Sequence, residues 1–448
     1  MRKLLLIFLI LFIATPVFAT DTLTLTDYPS GKVFQRDIGG TSATIIIVFS
    51  YTGSPSGIDA RVVLHGTSTV VVDWTQIATP ASSPAFGYLT VPQGMGKLWY
   101  NVQIRFSTAG IPQSNGTHPW TVGILTGDIG QSNIDAGWKR ASQEGTDTLT
   151  ALPSVMSTTD GTTWSAPLYN ASVSFGNTLS TLTNLPVGLI MNGVGASGLT
   201  YECQWPPFNT GYWLAHSGSP AIYNWTAYIN AVTAASDRNQ SQSPIVEGTV
   251  WEQGETEAYN GCDLTSNAYQ THLQSFFTQL RTQTGSSTKI VVASLNGCDD
   301  ANGCNDLMSG TNATNIRGQQ SAACTADGQA LYVDMSDLAL YYMHYPAADN
   351  ITVGQRLATA MASLITVNGV CGSANGTSVG NVTSANACSA GTIGAITLTG
   401  LAFSWTCSGV GGGSTATCSA TQVMAPVLIG ASYAPVLIGA SYAPVKTN

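Results

Sequence analysis

The pattern of apolar and polar positions divides the chain into a first part of short strands and a second part in which strands alternate with helices. Before residue 120, β-branched and aromatic runs are separated by Gly, Pro and Ser clusters, which is typical of an antiparallel β-sandwich. The runs lie at 43–50, 60–64, 69–74 and 97–106. We therefore predict a β-sandwich domain over residues 20–119.

From Trp120 onward the pattern changes to near-continuous apolar runs, which are typical of strands buried on both faces of a parallel sheet. These runs lie at 122–125, 187–191, 245–251, 289–295 and 331–334. Helices are predicted between them at 221–236, 265–283 and 351–365; in the second of these, Leu273, Phe276, Phe277 and Leu280 recur at helical spacing. The alternation indicates an α/β domain over residues 120–367, with helices on both faces of its sheet.

The two ends of the chain have different character. Arg2 and Lys3 precede an apolar run, and Val17 and Ala19 stand at the −3 and −1 positions of a cleavage site, so residues 1–19 are predicted to be a secretory signal peptide. The apolar run is shorter than the ~20 residues that span a membrane. Near the other end, residues 368–424 hold four Cys among many Gly and Ser, which predicts a small disulfide-stapled β-module. A repeated nine-residue segment follows, so residues 425–448 are interpreted as a flexible or surface-adhering tail.

The composition excludes several classes of protein. Charged residues make up 9% of the chain and the formal net charge is −9, which argues against a nucleic-acid partner because phosphate binding needs clustered Lys and Arg. Apolar residues make up 44%, enough for a sizeable core, so global disorder is excluded. The nine Cys lack paired C-x-x-C spacing, which argues against a structural zinc site. In an exported protein, the cysteines are instead expected to form disulfides. Cys298 and Cys304 lie six residues apart in a Gly/Asn/Asp loop and are the pair most naturally predicted to form a local bridge, and the odd total predicts one unpaired thiol.

The turn after the first parallel strand carries a candidate nucleophile. The strand 122–125 leads into a segment in which Gly130 permits a tight turn and Ser132 precedes a predicted helix. Ligands of α/β sheets bind outside the carboxyl ends of the strands, and backbone N–H groups at such a turn can stabilise developing negative charge. Ser132 is therefore a candidate nucleophile; the alternative interpretation is a serine that only forms a turn or caps a helix.

Further blocks follow in order along the chain: Pro186 to Ser197, Val250 to Ala258 with the pattern W-x-Q-G-E-x-x-A, Asn315 to Gln319, and Met343 to Pro346 followed by 354–358. Together with Gly130 to Asn133, these blocks resemble the SGNH hydrolases, in particular the carbohydrate-esterase branch that contains sialate O-acetylesterases and acetyl xylan esterases. The resemblance covers about residues 120–367. It implies a three-layer α/β/α, flavodoxin-like hydrolase domain, preceded by the β-rich region.

The resemblance also implies roles for individual residues. Ser132 would be the nucleophile, and His344, in the late loop before the terminal helix, would be the base. The oxyanion hole would consist of the Ser132 N–H, the Gly195 N–H and the side-chain amide of Gln253. The reaction needs neither a metal nor another cofactor. The other four histidines compete with His344 on sequence alone and are interpreted as structural, exposed or cleft-lining residues: His65, His118, His216 and His272.

The chain departs from the family in the acid of the triad. Tyr341 and Tyr342 stand where many relatives carry Asp. Glu255 is the first candidate to orient the imidazole, since the Q-G-E block places it near Gln253, and Asp337 is the second. The remaining alternative is a dyad of Ser132 and His344, which would lack the carboxylate that fixes the tautomer and stabilises the imidazolium.

The sequence thus predicts a secreted serine esterase, extracellular or periplasmic, that removes O-acetyl groups from carbohydrate, either acetylated polysaccharide or sialic acid. Aromatic residues between the second and third blocks are interpreted as sugar-stacking or core residues: Trp205, Tyr212, Trp213, Tyr223 and Trp225. The rival hypothesis is a non-catalytic glycan-binding or adhesive surface protein on the same scaffold. Under either hypothesis the C-terminal region is a candidate for attachment to polysaccharide or to a cell surface. No membrane span is predicted in the mature chain.

Overall fold

The computed structural model describes residues 21–109, 113–204, 210–215, 223–236, 245–297, 310–341 and 343–423, with the backbone alone for residue 223 and for the strands 425–429 and 432–436. The signal peptide predicted at 1–19 and the bridge predicted between Cys298 and Cys304 lie outside these residues. Within them, no helix combines the length and the apolar character needed to cross a membrane.

The first part of the chain forms two antiparallel sheets. Its strands are β1 (Leu23–Leu25), β2 (Lys32–Gln35), β3 (Ser42–Tyr51), β4 (Ile58–Leu64), β5 (Val70–Ala78), β6 (Ala85–Pro92), β7 (Tyr100–Phe106) and β8 (Ser114–Asn115). One sheet has the order β1-β3-β6, and the other runs β5-β4-β7 with β8 beside β7. Ile45, Phe49, Val62 and Ile104 are buried in the core that the two sheets share. Their alternating buried and exposed positions are the reason that the sequence pattern detects most of these strands.

A parallel sheet forms the centre of the second part. Its strands are β9 (Trp120–Gly130), β10 (Val155–Thr158), β11 (Val187–Met191), β12 (Gly248–Glu252), β13 (Lys289–Ala293) and β14 (Ala330–Val333). They pair in parallel in the order β10-β11-β9-β12-β13-β14. The α/β class expected from the sequence is therefore confirmed. Every residue of β9, β11 and β12 is buried, which explains their near-continuous apolar character.

Helices cover both faces of this sheet. The helices are α1 (Ser132–Asp135), α2 (Asn170–Thr183), α3 (Tyr223–Ser236), α4 (Glu255–Asn260), α5 (Ala268–Thr284), α6 (Thr311–Asp327) and α7 (Ala347–Leu364), with a short 3-10 turn at Tyr201–Cys203. Neighbouring strand residues alternate between two cores. Ile290 packs with α3, α5 and α6, whereas Val291 packs with α2 and α7.

The strand β9 belongs to both parts of the molecule. Trp120 and Val122 at its beginning lie in the core of the antiparallel sheets, whereas Ile124 and Leu125 lie in the two cores beside the parallel sheet. β2 pairs with β9 in parallel, and β7 pairs with it at Trp120. One continuous sheet therefore crosses the position at which the sequence pattern changes.

The C-terminal region packs at the amino end of the parallel sheet. Its elements are β15 (Val370–Cys371), β16 (Ser378–Val379), α8 (Ser384–Ala387), β17 (Cys388–Ala390), β18 (Thr392–Ile393), β19 (Thr397–Thr399), β20 (Ala402–Ser408) and β21 (Ala416–Gln422), followed by the hairpin of β22 (Ala425–Ile429) and β23 (Ser432–Val436). The Asn184 side chain donates to the Cys388 carbonyl at 2.9 Å, and the Gly391 N–H donates to the Thr183 carbonyl at 3.1 Å. Both contacts lie just before β11 begins.

Six of the described cysteines form three disulfides. Cys371 bonds to Cys418 and Cys388 to Cys407 in the C-terminal region, and Cys203 bonds to Cys262 beside the parallel sheet. Cys324 is a free, buried thiol. Disulfides and a free thiol therefore occur together among the described cysteines, as the odd total suggested.

Candidate active site

The turn that carries Ser132 depends on Gly130. Its φ of 144° is one that L side chains rarely adopt, and a Cβ added there would lie 2.0 Å from the Glu252 carbonyl oxygen. The Gln131 N–H donates to that same carbonyl at 2.8 Å. The chain therefore leaves β9 against the end of β12 and enters α1 with Ser132, which is partly exposed, at the carboxyl edge of the sheet.

The turn after β11 brings Gly195 to Ser132. The Val194 N–H donates to the Gly130 carbonyl at 3.0 Å, which ties this turn to the first one. A Cβ added at Gly195 would lie 3.8 Å from the Ser132 Cβ, so the two backbones approach closely. Ala196, the next residue, has a positive φ of 59°, which is uncommon for a residue with a side chain and is often found at functional sites.

Two residues predicted for the site, Gln253 and Glu255, follow the end of β12 at the carboxyl edge of the sheet. Gly254, with φ of 140°, turns the chain from β12 into α4, which begins at Glu255. Glu255 is 3% exposed, and its Oε1 accepts a hydrogen bond of 2.8 Å from the Asn133 Nδ2. Because burial penalises its charged form, the pKa of Glu255 is raised to about 7.

The side chain of Gln253 lies behind this surface. Its Nε2 donates to Glu257, and the Ser197 carbonyl and the Gln131 Oε1 are each 3.3 Å away. Both amide protons therefore have acceptors within the protein. Burial raises the pKa of Glu257 to about 8. In this arrangement the Gln253 amide is engaged with Glu257, and its predicted role as an oxyanion donor stays a prediction.

His344 lies on a tight turn immediately before α7. Its backbone exchanges hydrogen bonds of 2.8 and 3.1 Å with Tyr341. The Nδ1 atom is 2.8 Å from the Oε1 of Gln143, a residue in the loop after α1. Burial, together with a smaller effect of the nearby Arg140 charge, lowers the pKa of His344 to about 4. The imidazole is therefore held neutral, which is the form that can accept a proton.

One cavity of about 280 Å³ joins these residues. It is lined by Gln131, Ser132, Gly195, Ala196, Thr210, Glu255, Met343 and His344. The structure thus brings together Ser132, Gly195, Glu255 and His344, which lie far apart in the sequence. Asp337 is elsewhere: its exposed carboxylate forms a bidentate pair with Arg356, at 2.6 and 2.7 Å.

Glu255 and Asp337 both lack a hydrogen bond to His344 in the described part of the chain. Glu255 Oε1 is bonded to Asn133, and its Oε2 is buried without a hydrogen-bond partner. The partner of Nδ1 is Gln143, which sequence reasoning missed. No spacing rule links Gln143 to His344, because 201 positions separate them, and a neutral amide is not the residue type sought as a triad acid.

The other candidates are distributed as follows. His65, His118 and His272 bond to Asn101, to the Tyr28 carbonyl and to Asp263, respectively, away from the cavity. Tyr212, Trp213 and Trp225 are at most 9% exposed, so these three are core residues. His216, Trp205 and the side chain of Tyr223 lie outside the described residues. Among potential metal ligands, the described group close enough to share an ion is Cys371, Cys407 and Cys418, and all three belong to disulfides.

A parallel α/β sheet with a serine, a glycine turn and a neutral histidine around one cavity at its carboxyl edge has the architecture of an α/β esterase. The model of the family described as SASA, carbohydrate esterase, sialic acid-specific acetylesterase, matches residues 129–363, more than half of the chain. The chain belongs to this family and is a carbohydrate O-acetylesterase. The resemblance inferred from the sequence blocks is therefore confirmed.

Similarity to individual proteins is more distant. No curated protein matches the chain. Among solved structures, a carbohydrate acetylesterase from Xanthomonas citri is 14% identical, with 85% of this chain and 81% of that chain covered and a TM-score of 0.49. A family two carbohydrate esterase from Clostridium thermocellum is 13% identical, with 72% and 89% covered and a TM-score of 0.33.

Proposed function

We propose that this chain is exported and removes O-acetyl groups from carbohydrate by acyl transfer through Ser132, with His344 as the general base. The observation that carries the proposal is the meeting of Ser132, Gly195 and His344 around one cavity at the carboxyl edge of the sheet. The neutral state of the imidazole, favoured by its burial, supports the role of a base.

The chemistry follows from these groups. The Nε2 of His344 takes the proton of the Ser132 hydroxyl while Oγ attacks the acetyl carbonyl carbon. The oxyanion that forms is bound by the N–H groups of Ser132 and Gly195. As the ester bond to the sugar breaks, His344 returns the proton to the sugar oxygen. Water then attacks the acetyl-enzyme with His344 again as base, and acetate leaves with Ser132 regenerated.

Glu255 has a different proposed role from the one that the sequence suggested. Its bond from Asn133 fixes the residue that follows Ser132, so Glu255 shapes the cavity wall beside the nucleophile. With a pKa raised to about 7, its carboxyl is largely neutral in mildly acidic solution. A neutral wall at this place does not repel the developing oxyanion.

The domain organisation is proposed with the same boundaries as the sequence pattern: a β-sandwich at 20–119, a three-layer α/β/α flavodoxin-like esterase domain at 120–367, a small Cys-containing β-module at 368–424 and a repeat tail at 425–448. Helices on both faces of the parallel sheet support the layering. Disulfides, which persist in oxidising compartments, support export through the predicted signal peptide at 1–19.

The proposal is tested by measuring acetate release from acetylated xylan, acetylated sialic acid and acetylated peptidoglycan. Ser132→Ala should reduce release by about a thousandfold or more, since removal of the nucleophile leaves only binding and oxyanion effects. Ser275→Ala, which changes an exposed serine on α5, is the matched control and should retain full activity. Equal release by Ser132→Ala and the wild type would refute the mechanism. Glycan binding by the wild type without acetate release would favour the non-catalytic adhesive protein.

A further inference from the structure

Gln143 occupies the position at which a serine hydrolase usually carries the acid of its triad. Its side-chain Oε1 is 2.8 Å from the Nδ1 of His344. We propose that Gln143 is the positioning residue of the site: its amide oxygen accepts the Nδ1–H of His344 and so leaves Nε2 unprotonated to receive the proton of Ser132. The inference rests on the proposed function and assigns the orienting group that the sequence left open.

The loop around Gln143 is anchored on both sides. The Ser142 Oγ accepts from the Asn350 side chain at 3.0 Å, which ties this residue to α7. The Glu144 carbonyl accepts from the Ala347 N–H at 2.7 Å, at the beginning of the same helix. Because α7 follows His344 directly, loop and histidine are fixed to one element. The contact between Gln143 and His344 is thus supported by two independent hydrogen bonds.

A second set of bonds fixes the far end of the loop. The Asp147 carboxylate accepts from both the N–H and the hydroxyl of Ser142, at 3.0 and 2.9 Å. Asp147 also accepts from the Asn170 N–H at the start of α2, at 2.9 Å. Although the Gln143 residue is exposed, its backbone lies in a segment held by α2 and α7. Such support is what a residue needs in order to fix a ring orientation.

An amide oxygen performs one of the two tasks of a triad acid. As an acceptor it selects the tautomer with the proton on Nδ1, which is the task whose loss is most damaging in triads. As a neutral group it does not stabilise the imidazolium, so the histidine gains its proton only at lower pH than it would beside a carboxylate. The low pKa of His344, which results from burial and Arg140, agrees with a site of this kind.

The segments around His344 carry other titratable groups, and of their charges the one that lowers the His344 pKa is that of Arg140. The segments that meet at His344 contribute Asp135, Arg140, Glu144, Glu255, Tyr341, Tyr345 and Asp349. Arg140 is itself paired with Asp135. Glu255 is bonded to Asn133, and Asp349 accepts from the Ala339 N–H at 3.1 Å. In the described residues, the group in hydrogen-bond contact with the His344 ring is Gln143.

The experiment compares Gln143→Ala and Gln143→Glu with the wild type, using hydrolysis of p-nitrophenyl acetate across a pH series. Gln143→Ala should lower kcat by about tenfold, the rate equivalent of one hydrogen bond, with little change in KM. Gln143→Glu should move the acidic midpoint of kcat/KM upward by about one pH unit or more, because the new carboxylate favours the imidazolium. If Gln143 only stabilised its own loop and did not contact the His344 imidazole, Gln143→Glu would not produce this upward shift.

Gln355→Glu is the matched control, since it adds the same charge at an exposed position of α7 outside the cavity and should leave the midpoint unmoved. Circular dichroism establishes that each variant is folded, and if Gln143→Ala fails to fold, the near-isosteric Gln143→Glu decides. The proposal is overturned if Gln143→Glu is folded and keeps the wild-type midpoint, or if a folded Gln143→Ala keeps the wild-type kcat. Failure of the underlying function is a separate result, visible as full activity in Ser132→Ala.

Discussion

At the residue level, burial moves the pKa values of His344 and Glu255 in opposite directions. It lowers the pKa of His344 to about 4 and raises that of Glu255 to about 7. Both shifts favour the neutral form, since the charged form loses its hydration on burial. In mildly acidic solution the cavity therefore contains a neutral imidazole and a largely neutral carboxyl group.

Two conservative substitutions distinguish the contributions of Glu255 and Asp337 to catalysis. Asp337→Asn should leave kcat nearly unchanged, because its exposed carboxylate contacts Arg356 and not the cavity. Glu255→Gln should lower kcat by about tenfold through a weakened bond to Asn133, and should leave the acidic midpoint of kcat/KM unmoved. A loss of two or more decades together with a shifted midpoint would instead identify Glu255 as the group that orients His344.

At the level of elements, two glycines differ in whether their positions can hold a side chain. Gly130 has a positive φ and no room for a Cβ, whereas Gly318 on α6 has nothing within 4 Å of an added Cβ. Gly130→Ala should abolish esterase activity and destabilise the protein strongly, because the added Cβ would collide with the Glu252 backbone and force the turn away from β12. Gly318→Ala should retain activity and gain about 0.5–1 kcal/mol of stability, since alanine favours helices.

Thermal unfolding and p-nitrophenyl acetate hydrolysis, measured on both glycine variants, test this contrast. A Gly130→Ala protein with wild-type stability and activity would show that the turn tolerates a side chain, contrary to the geometry. A loss of stability in Gly318→Ala would show that α6 is more crowded in solution than the structure indicates.

The helix α2 shows why some elements escaped the sequence pattern. Its residues are mostly Ser, Thr and Asn, which are neutral or poor helix formers. It is stabilised by packing closely on α7, where a Cβ added at Gly354 would lie 2.4 Å from the Ala171 carbonyl oxygen. Backbone approach of this kind has no signature in the periodicity of α2 itself. By contrast, α5 was predicted because its buried residues recur on one face.

At the level of the whole molecule, the C-terminal region and the active site lie at opposite edges of the parallel sheet. We predict that truncation after residue 367 preserves hydrolysis of a small acetyl ester, because the cavity residues all precede that point. The thermal midpoint should fall, since Ala390 is buried in the core with α2 and α7 and the Asn184 contact would be lost. A folded, truncated protein without small-ester activity would show that the region completes the site.

Two buried carboxyl groups make the free energy of unfolding depend on pH. Glu255 and Glu257 have pKa values raised to about 7 and 8 in the fold, from 4.5 in the unfolded chain, so the folded state holds protons that the unfolded state has lost. Their stabilising contribution is complete below pH 4.5 and is lost as the pH rises through 7 and 8. His344 acts in the opposite sense only between about pH 4 and 6.5. The free energy of unfolding should therefore fall between pH 6.5 and 8.

Glu252→Gln tests the origin of that slope. Burial raises the pKa of Glu252 well above its ordinary value, and neither oxygen has a hydrogen-bond partner among the described residues. A neutral glutamine should flatten the slope and raise the thermal midpoint at pH 8 relative to the wild type. An unchanged slope would mean that Glu252 binds the same number of protons in the folded and unfolded states over this range.

The sequence by itself determined the α/β class and the family, and it predicted four of the residues that line the cavity. Apolar runs predicted the parallel strands because every residue of β11 and β12 is buried. Local motifs predicted Ser132, Gly195, Glu255 and His344 as site residues because tight turns and short sequence blocks are visible in the local sequence. The tertiary structure alone decided the partner of the His344 ring. Gln143 lies 201 positions away and reaches His344 through a loop held by α2 and α7. Contacts between distant segments depend on packing in three dimensions, and no local pattern encodes them.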